Sequence, residues 1–347
     1  MADRKKVIWN ILSVIIAAVT IWAVFRFSGD ISPADIISEL RSARPLMLAA
    51  ALAASFMYVG FEALSLRALL RGAGHRSGFL RPLLYSSADC YFSAVTPSAT
   101  GGQPASAYFM TLCGIPAGTS VVILMVNLIL YTLATLALGL VPLFTMPRLF
   151  AGFRDLSKLL IILGYIILSL LAVFFMTCLR NADMLRRPLE WTVGILCRMH
   201  LLRNREKHIA DIDRLLDEYK KCASVIKGEG KAIITAFLMN LGQRASQIAV
   251  PVFVYLALGG DRAAAGGIFS AQCFVTVGYN CVPVPGSMGI ADMLMIDAFT
   301  DLIGSDAAFT LEMISRGISF YLCTVFSGLV CIAGYIILRR RRDKEKL

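Results

Sequence analysis

Histidine is nearly missing from this chain: three in 347 residues, His75, His200 and His208, all in charged surroundings. A catalytic or metal-binding imidazole is therefore not expected. The nine cysteines are odd in number, scattered, and contain no Cys-x-x-Cys pair. They read as small buried apolar residues and not as a disulfide or zinc framework. No Gly-x-x-x-x-Gly-Lys-Ser/Thr run occurs, and no segment outside the apolar blocks is large enough for an ATPase. Charged residues make up only 16%, with no basic, aromatic-bearing soluble face of the kind nucleic acid requires. The expectation is no nucleic-acid partner, no cofactor, no metal and no catalytic residues.

Apolar sequence is what the chain has instead. It is 57% hydrophobic, with mean hydropathy +0.70, against about 45–50% for a soluble chain. The excess lies in blocks long enough to cross a hydrocarbon core of roughly 30 Å. A lipid-exposed backbone must satisfy its own hydrogen bonds, which points to an all-α integral membrane protein. Expected spans are 7–27, 45–66, 120–144, 159–179, 232–258 and 314–338. The first follows Arg4, Lys5 and Lys6 and shows no small-residue cleavage site, so it is read as an uncleaved span.

The net charge of +11 is placed unevenly. Arg67, Arg71, Arg76 and Arg81 follow the second block without an acid, and basic residues outnumber acids twelve to eight in 180–231. The tail 339–347 opens with four arginines, whereas 300–312 carries Asp301, Asp306 and Glu312 and no base. The positive-inside rule then puts both termini and 180–231 in the cytoplasm. Two apolar stretches, 79–113 and 265–300, remain. If both crossed, 180–231 would lie outside, against the charge rule; if each turns back, every loop falls on its expected side.

Both stretches are broken. Pro97, Gly101, Gly102, Gln103 and Pro104 interrupt the first; Pro283, Pro285, Gly286, Ser287 and Gly289 interrupt the second. Proline removes a donor and glycine loosens the backbone, so each stretch is expected to form two half-helices around an unwound turn. The resulting fold is about six spanning helices plus two re-entrant broken-helix hairpins, in an inverted-topology repeat of 1–179 and 232–338. Paired broken helices mark the substrate site in transporters built this way. Within the linker 180–231, Ile209, Ile212, Leu215, Leu216, Tyr219, Cys222 and Ile226 form one stripe, expected to lie at the membrane interface.

On these two motifs the chain resembles the flippase-like transmembrane region of bacterial lysylphosphatidylglycerol synthases. Pro97, Gly101 and Gly102 match that family's first broken helix; Pro285, Gly286, Gly289 and Asp292 match its second, where Ser287 replaces a glycine and, earlier, Gln103 an acid. The resemblance runs from about residue 5 to 338. It implies a location in the bacterial cytoplasmic membrane. In the full synthases a soluble aminoacyl-transferase domain follows, for which residues 339–347 offer no place. The transferase reaction is therefore not expected here.

Arg244 is the polar residue most out of place, near the middle of an apolar block, where arginine costs roughly 2.5–3.5 kcal/mol to insert. Gln243 and Gln247 accompany it. It is read as a phosphate or carboxylate ligand, as one half of an ion pair with Asp89, Asp292 or Glu62, or as a misplaced helix end. Asp89 suits proton coupling or amine recognition; Asp292 suits the same, or a cap on a half-helix starting near Ile290. Glu62 and Arg67 are expected to pair at the cytoplasmic interface, Arg316 to snorkel outward, and Gln272, Tyr279 and Asn280 to line a cavity. The half-helix N-termini near Ala105 and Ile290 would favour an anion, unless their glycines serve close packing alone.

Together these features predict a translocator of an anionic or aminoacylated phospholipid, or of a polyprenyl-phosphate carrier. The alternatives are a membrane component serving a separate lipid synthase, and a transporter of a small soluble ion or metabolite. A membrane phospholipid is the expected partner, with a homo-oligomer or that synthase as further candidates.

Overall fold

A computed structural model describes residues 39–96, 100–198, 205–280, 287 and 289–344. The expected span 7–27 lies outside these residues, as do Pro97, Pro283, Pro285 and Gly286 of the two breaks.

All regular structure among the described residues is helical. The helices are α1 (Pro45–Gly72), α2 (Leu80–Val95), α3 (Gly102–Leu112), α4 (Ala117–Thr145), α5 (Pro147–Gly152), α6 (Asp155–Arg180), α7 (Asp183–Arg198), α8 (Arg205–Gly228), α9 (Gly230–Ala257), α10 (Ala265–Asn280), α11 (Ile290–Ile303), α12 (Ser305–Arg316) and α13 (Cys323–Lys344). A π-helical turn, Gly317–Leu322, joins α12 to α13 without a break. Local signals set the ends. Pro45 opens α1 where its missing N–H costs nothing, and Gly74 ends it at φ +82°. Asp155 and Arg180 sit at opposite ends of α6, each complementing the helix dipole.

Among the described residues, four helices are long and apolar enough to cross a membrane: α1, α4, α6 and the continuous run Ser305–Arg340. Helix α9 has the same 28 residues as α1 but carries Asn240, Gln243, Arg244 and Gln247. Its polar side is sheltered, because α9 packs along the whole of α1 and also against α4 and α10. The α1–α9 pair is antiparallel. At one end Arg44 N–H donates to Ala257 O at 2.8 Å. At the other, Gly72 lies so close to Ala232 that an added Cβ would stand 2.8 Å from it.

Two apolar clusters occupy opposite ends of this bundle. The first contains Leu66, Tyr85, Met110, Val122, Tyr219 and Ile226. The second contains Ala51, Val254, Phe274, Leu294, Phe299 and Leu311. Both limbs of the α2–α3 hairpin thus start and finish in the first cluster, and both limbs of α10–α11 in the second. Limbs of 16, 11, 16 and 14 residues reach about 17–24 Å, short of a full crossing. The described limbs of the two pairs thus pack at opposite ends of the bundle. Each first limb packs on the long helix before it and on a helix of the other half: α2 on α1 and α13, α10 on α9 and α4.

The stripe on α8 faces the bundle and not the membrane surface. Ile212, Leu216, Tyr219, Cys222 and Ile226 are buried, the last three in the first cluster, and Tyr219 O–H donates to Cys178 O at 3.0 Å. The reason is Gly118 on α4, which lets α8 approach until an added Cβ would meet Leu215 O at 2.4 Å.

Candidate functional site

Between the two apolar clusters lies a polar cavity of about 520 Å³. Side chains from both halves line it, including Tyr58 and Glu62 of α1, Asp89 of α2, Tyr131 of α4, Arg244 of α9 and Arg316 of α12. Its wall also includes Leu168, Leu171 and Phe175 of α6, of which Leu171 is 39% exposed.

Arg244 is only 1% exposed, yet among the described residues it makes no ion pair. Its guanidinium carbon sits 3.8 Å from the Tyr131 ring centroid and 5.4 Å from that of Tyr58. Nη1 donates to Gln247 Oε1 at 2.6 Å and Nη2 to Tyr58 Oη at 3.4 Å. Nε has no hydrogen-bond partner among the described residues. A buried guanidinium is costly unless its donors are met. Here aromatic faces and neutral oxygens hold the cation in place while leaving its charge uncancelled.

Glu62 is 3% exposed. Its Oε2 accepts from Ser86 Oγ and from Gln243 Nε2, each at 3.1 Å. Ser86 stands one turn before Asp89 on α2, so the Glu62 and Asp89 carboxyls lie on one side of that helix and line the same cavity. Asp89 in turn accepts from Gln103 Nε2 at 3.0 Å. Gly102 makes this possible: an added Cβ would stand 2.1 Å from Asp89 Oδ1 and 2.0 Å from Ser93 Oγ, so only glycine lets α3 lie this close to α2. Gly101 N–H is used locally, donating to Thr96 Oγ1 at 2.9 Å.

The second hairpin carries a comparable group. Asp292 Oδ2 accepts from Gly289 N–H at 2.8 Å, capping α11 as its spacing allows, and Oδ1 stands 2.7 Å from Arg316 Nε. Arg316 is 8% exposed and turned inward, because this carboxylate holds it and Phe320 stacks on it at 4.9 Å. Outward snorkelling is not observed. Nor does Glu62 pair with Arg67; the α1–α9 contact places Gln243 against it instead. The amide at the start of α11 is occupied by Asp292, so this end has less to offer an anion than its position implies.

Of the residues singled out by sequence, Asp89, Gln103, Gln243, Arg244, Gln247, Gln272, Tyr279, Asn280 and Ser287 line the one cavity. Gly101, Gly102, Gly289 and Asp292 shape or brace it from behind. Tyr58, Asn127 and Tyr131 were not singled out; a lone polar residue in an apolar helix gives no spacing signal.

A profile described as "Lysylphosphatidylglycerol synthase TM region" matches residues 10–327. The chain belongs to that family. A "UPF0104 membrane protein" from Archaeoglobus fulgidus is 22% identical over 316 residues, covering 89% of this chain and 92% of the relative. No solved structure matches. Membership makes the chain a multi-pass helical membrane protein related to the synthases' transmembrane region. Ser287, standing for a glycine in the second lysylphosphatidylglycerol synthase motif, adopts φ +51°, the left-handed region glycine enters freely. Its Oγ donates to Tyr279 O at 3.3 Å, a partial recompense for that strain.

Proposed function

We propose that this protein moves a lipid with an anionic headgroup between the leaflets of a membrane, binding the headgroup at Arg244. The observation that carries this is the buried, unpaired guanidinium facing a cavity shared by two opposed hairpins. A phosphodiester presents two oxygens to the free edge of such a cation, and would meet the donors that now lack partners. Gln243 Oε1 and Gln272 Oε1, also buried without partners, suit hydroxyl or ammonium donors on the same headgroup.

A lipid is favoured over a soluble anion by the cavity wall on α6. Leu168, Leu171 and Phe175 give the cavity an apolar side, suited to acyl chains while the headgroup stays at Arg244. By the positive-inside rule, the end holding Arg71, Arg81, Arg180 and Arg339 is cytoplasmic and both termini with it. Phosphatidylglycerol, aminoacylated phospholipids and polyprenyl phosphates all fit this description.

The test is lipid scrambling in proteoliposomes, with dye-tagged phosphatidylglycerol bleached from outside. Wild type is expected to expose the inner-leaflet anionic lipid to bleaching, and Arg244→Ala to protect it as empty vesicles do. Full protection in wild type for phosphatidylglycerol, and then for polyprenyl phosphates, overturns the reading in favour of a soluble substrate or a partner-subunit role.

A further inference from the structure

The Glu62–Asp89 pair does not belong to the anion-binding chemistry, and it has a requirement of its own. Glu62 is bonded to Ser86, one turn from Asp89 on α2, and both acids line one cavity wall; two such neighbouring carboxyls are relieved of their repulsion by one proton held between them. Like charges at such distance resist ionising together, so the pair titrates as a unit. No lysine or arginine makes an ion pair with either group among the described residues.

The pair opens on the cavity that holds Arg244. Gln243 joins them: it is 1% exposed, adjacent to Arg244 in sequence, bonded through Nε2 to Glu62, and left with Oε1 unpartnered. The other titratable or charged groups facing the pair are Tyr58 from α1, Cys90 from α2, Tyr131 from α4, Cys323 from α13 and Arg244 from α9; α3 contributes only the neutral Gln103. The tyrosines and thiols ordinarily ionise above neutrality, which leaves Arg244 as the one fixed charge close by. Arg316 lines the far side, held by Asp292.

The charge balance follows. With one shared proton the pair carries minus one and Arg244 plus one, so the empty cavity is neutral. An anion entering at Arg244 leaves an excess negative charge in a poorly screened space. A second proton, taken from water by the remaining carboxylate, restores neutrality. We infer that the Glu62–Asp89 pair is a proton site linked to the anion site, so that the cavity loads an anionic headgroup and a proton together. This rests on the reading of Arg244 given above. Linkage is reciprocal: the anion raises the pair's hold on its second proton, and that proton tightens the anion. A proton gradient can then drive the lipid, with no nucleotide involved.

The measurement is calorimetric titration of the purified full-length protein in nanodiscs with dihexanoyl-phosphatidylglycerol. Buffers of different ionisation enthalpy report the protons taken up per lipid. Wild type is expected to take up close to one, and its affinity to rise by up to about tenfold per pH unit lowered. Glu62→Gln keeps the Ser86 and Gln243 partners, and Asp89→Asn keeps Gln103; each should bind the lipid with almost no proton uptake. If one variant does not yield monodisperse protein, the other carries the comparison. Glu190→Gln, exposed on α7 beside Arg186, should behave as wild type. Lipid binding without proton uptake in wild type, or uptake unchanged in both variants, overturns the proton site and leaves the anion site standing. Absence of binding in wild type overturns the anion site, and this inference with it.

Discussion

Arg244 and Tyr131 face each other across the boundary between the halves, guanidinium over ring, at 3.8 Å. Helix α4 follows the first hairpin, while α9 precedes the second. The contact ties the halves together at the cavity and orients the cation without cancelling it, as a carboxylate partner would.

Removing the ring should therefore cost orientation and not charge. Tyr131→Leu is expected to weaken anionic-lipid binding by the worth of a partly desolvated cation–π contact, about 0.5–2 kcal/mol, or roughly two- to thirtyfold. Tyr131→Phe should retain nearly all of it. Arg244→Lys keeps the charge but loses the fork and should fall by about 1.5–3 kcal/mol. Calorimetric titration of the three variants separates these cases; equal loss in Tyr131→Phe and Tyr131→Leu would assign the effect to the hydroxyl.

Helix α6 is held against the second hairpin by a glycine. An added Cβ at Gly164 would stand 2.3 Å from Val277 O, a backbone atom that cannot step aside. Gly164→Ala should cost about 1–3 kcal/mol of stability through overpacking. Gly60→Ala, with nothing within 4 Å of the new methyl, should be neutral or slightly stabilising. Thermal melting of both variants in the same nanodiscs checks the pair; a matched fall in both would contradict the α6–α10 contact described here.

Much of this arrangement was legible in the residues. Apolar length located α1, α4 and α6, and clustered proline and glycine located both hairpins. Arg244 announced itself by its cost in an apolar run. The company it keeps did not. Glu62 looked like an interfacial residue because Arg67 follows a turn and a half later, and only the antiparallel register with α9 sets it against Gln243. Tyr58, Asn127 and Tyr131 are scattered single positions whose common purpose exists only once three helices meet. Arg316 looked free to reach outward until α11 brought Asp292 to it. Hydrophobic periodicity reports which face of a helix is buried, not which helix it will meet.

Ser287 offers a local test of the second hairpin's turn. At φ +51° a non-glycine residue pays roughly 1–2 kcal/mol. Ser287→Gly should relieve that strain, retain lipid movement and raise the melting temperature modestly. Ser287→Val, branched at Cβ, should lower it by several degrees and impair movement, since the Tyr279 contact is lost as well. A fall in melting temperature for Ser287→Gly would mean that the hydroxyl contact outweighs the backbone strain.

The two apolar clusters, one at each end of the cavity, carry a consequence for the cell. Each is a layer of packed apolar side chains that offers water and ions no polar partner. A machine with a single seal would leak every time that seal loosened. On the proposed function, two seals would let one end open to a headgroup while the other stays shut, so that the voltage across the bilayer survives each passage.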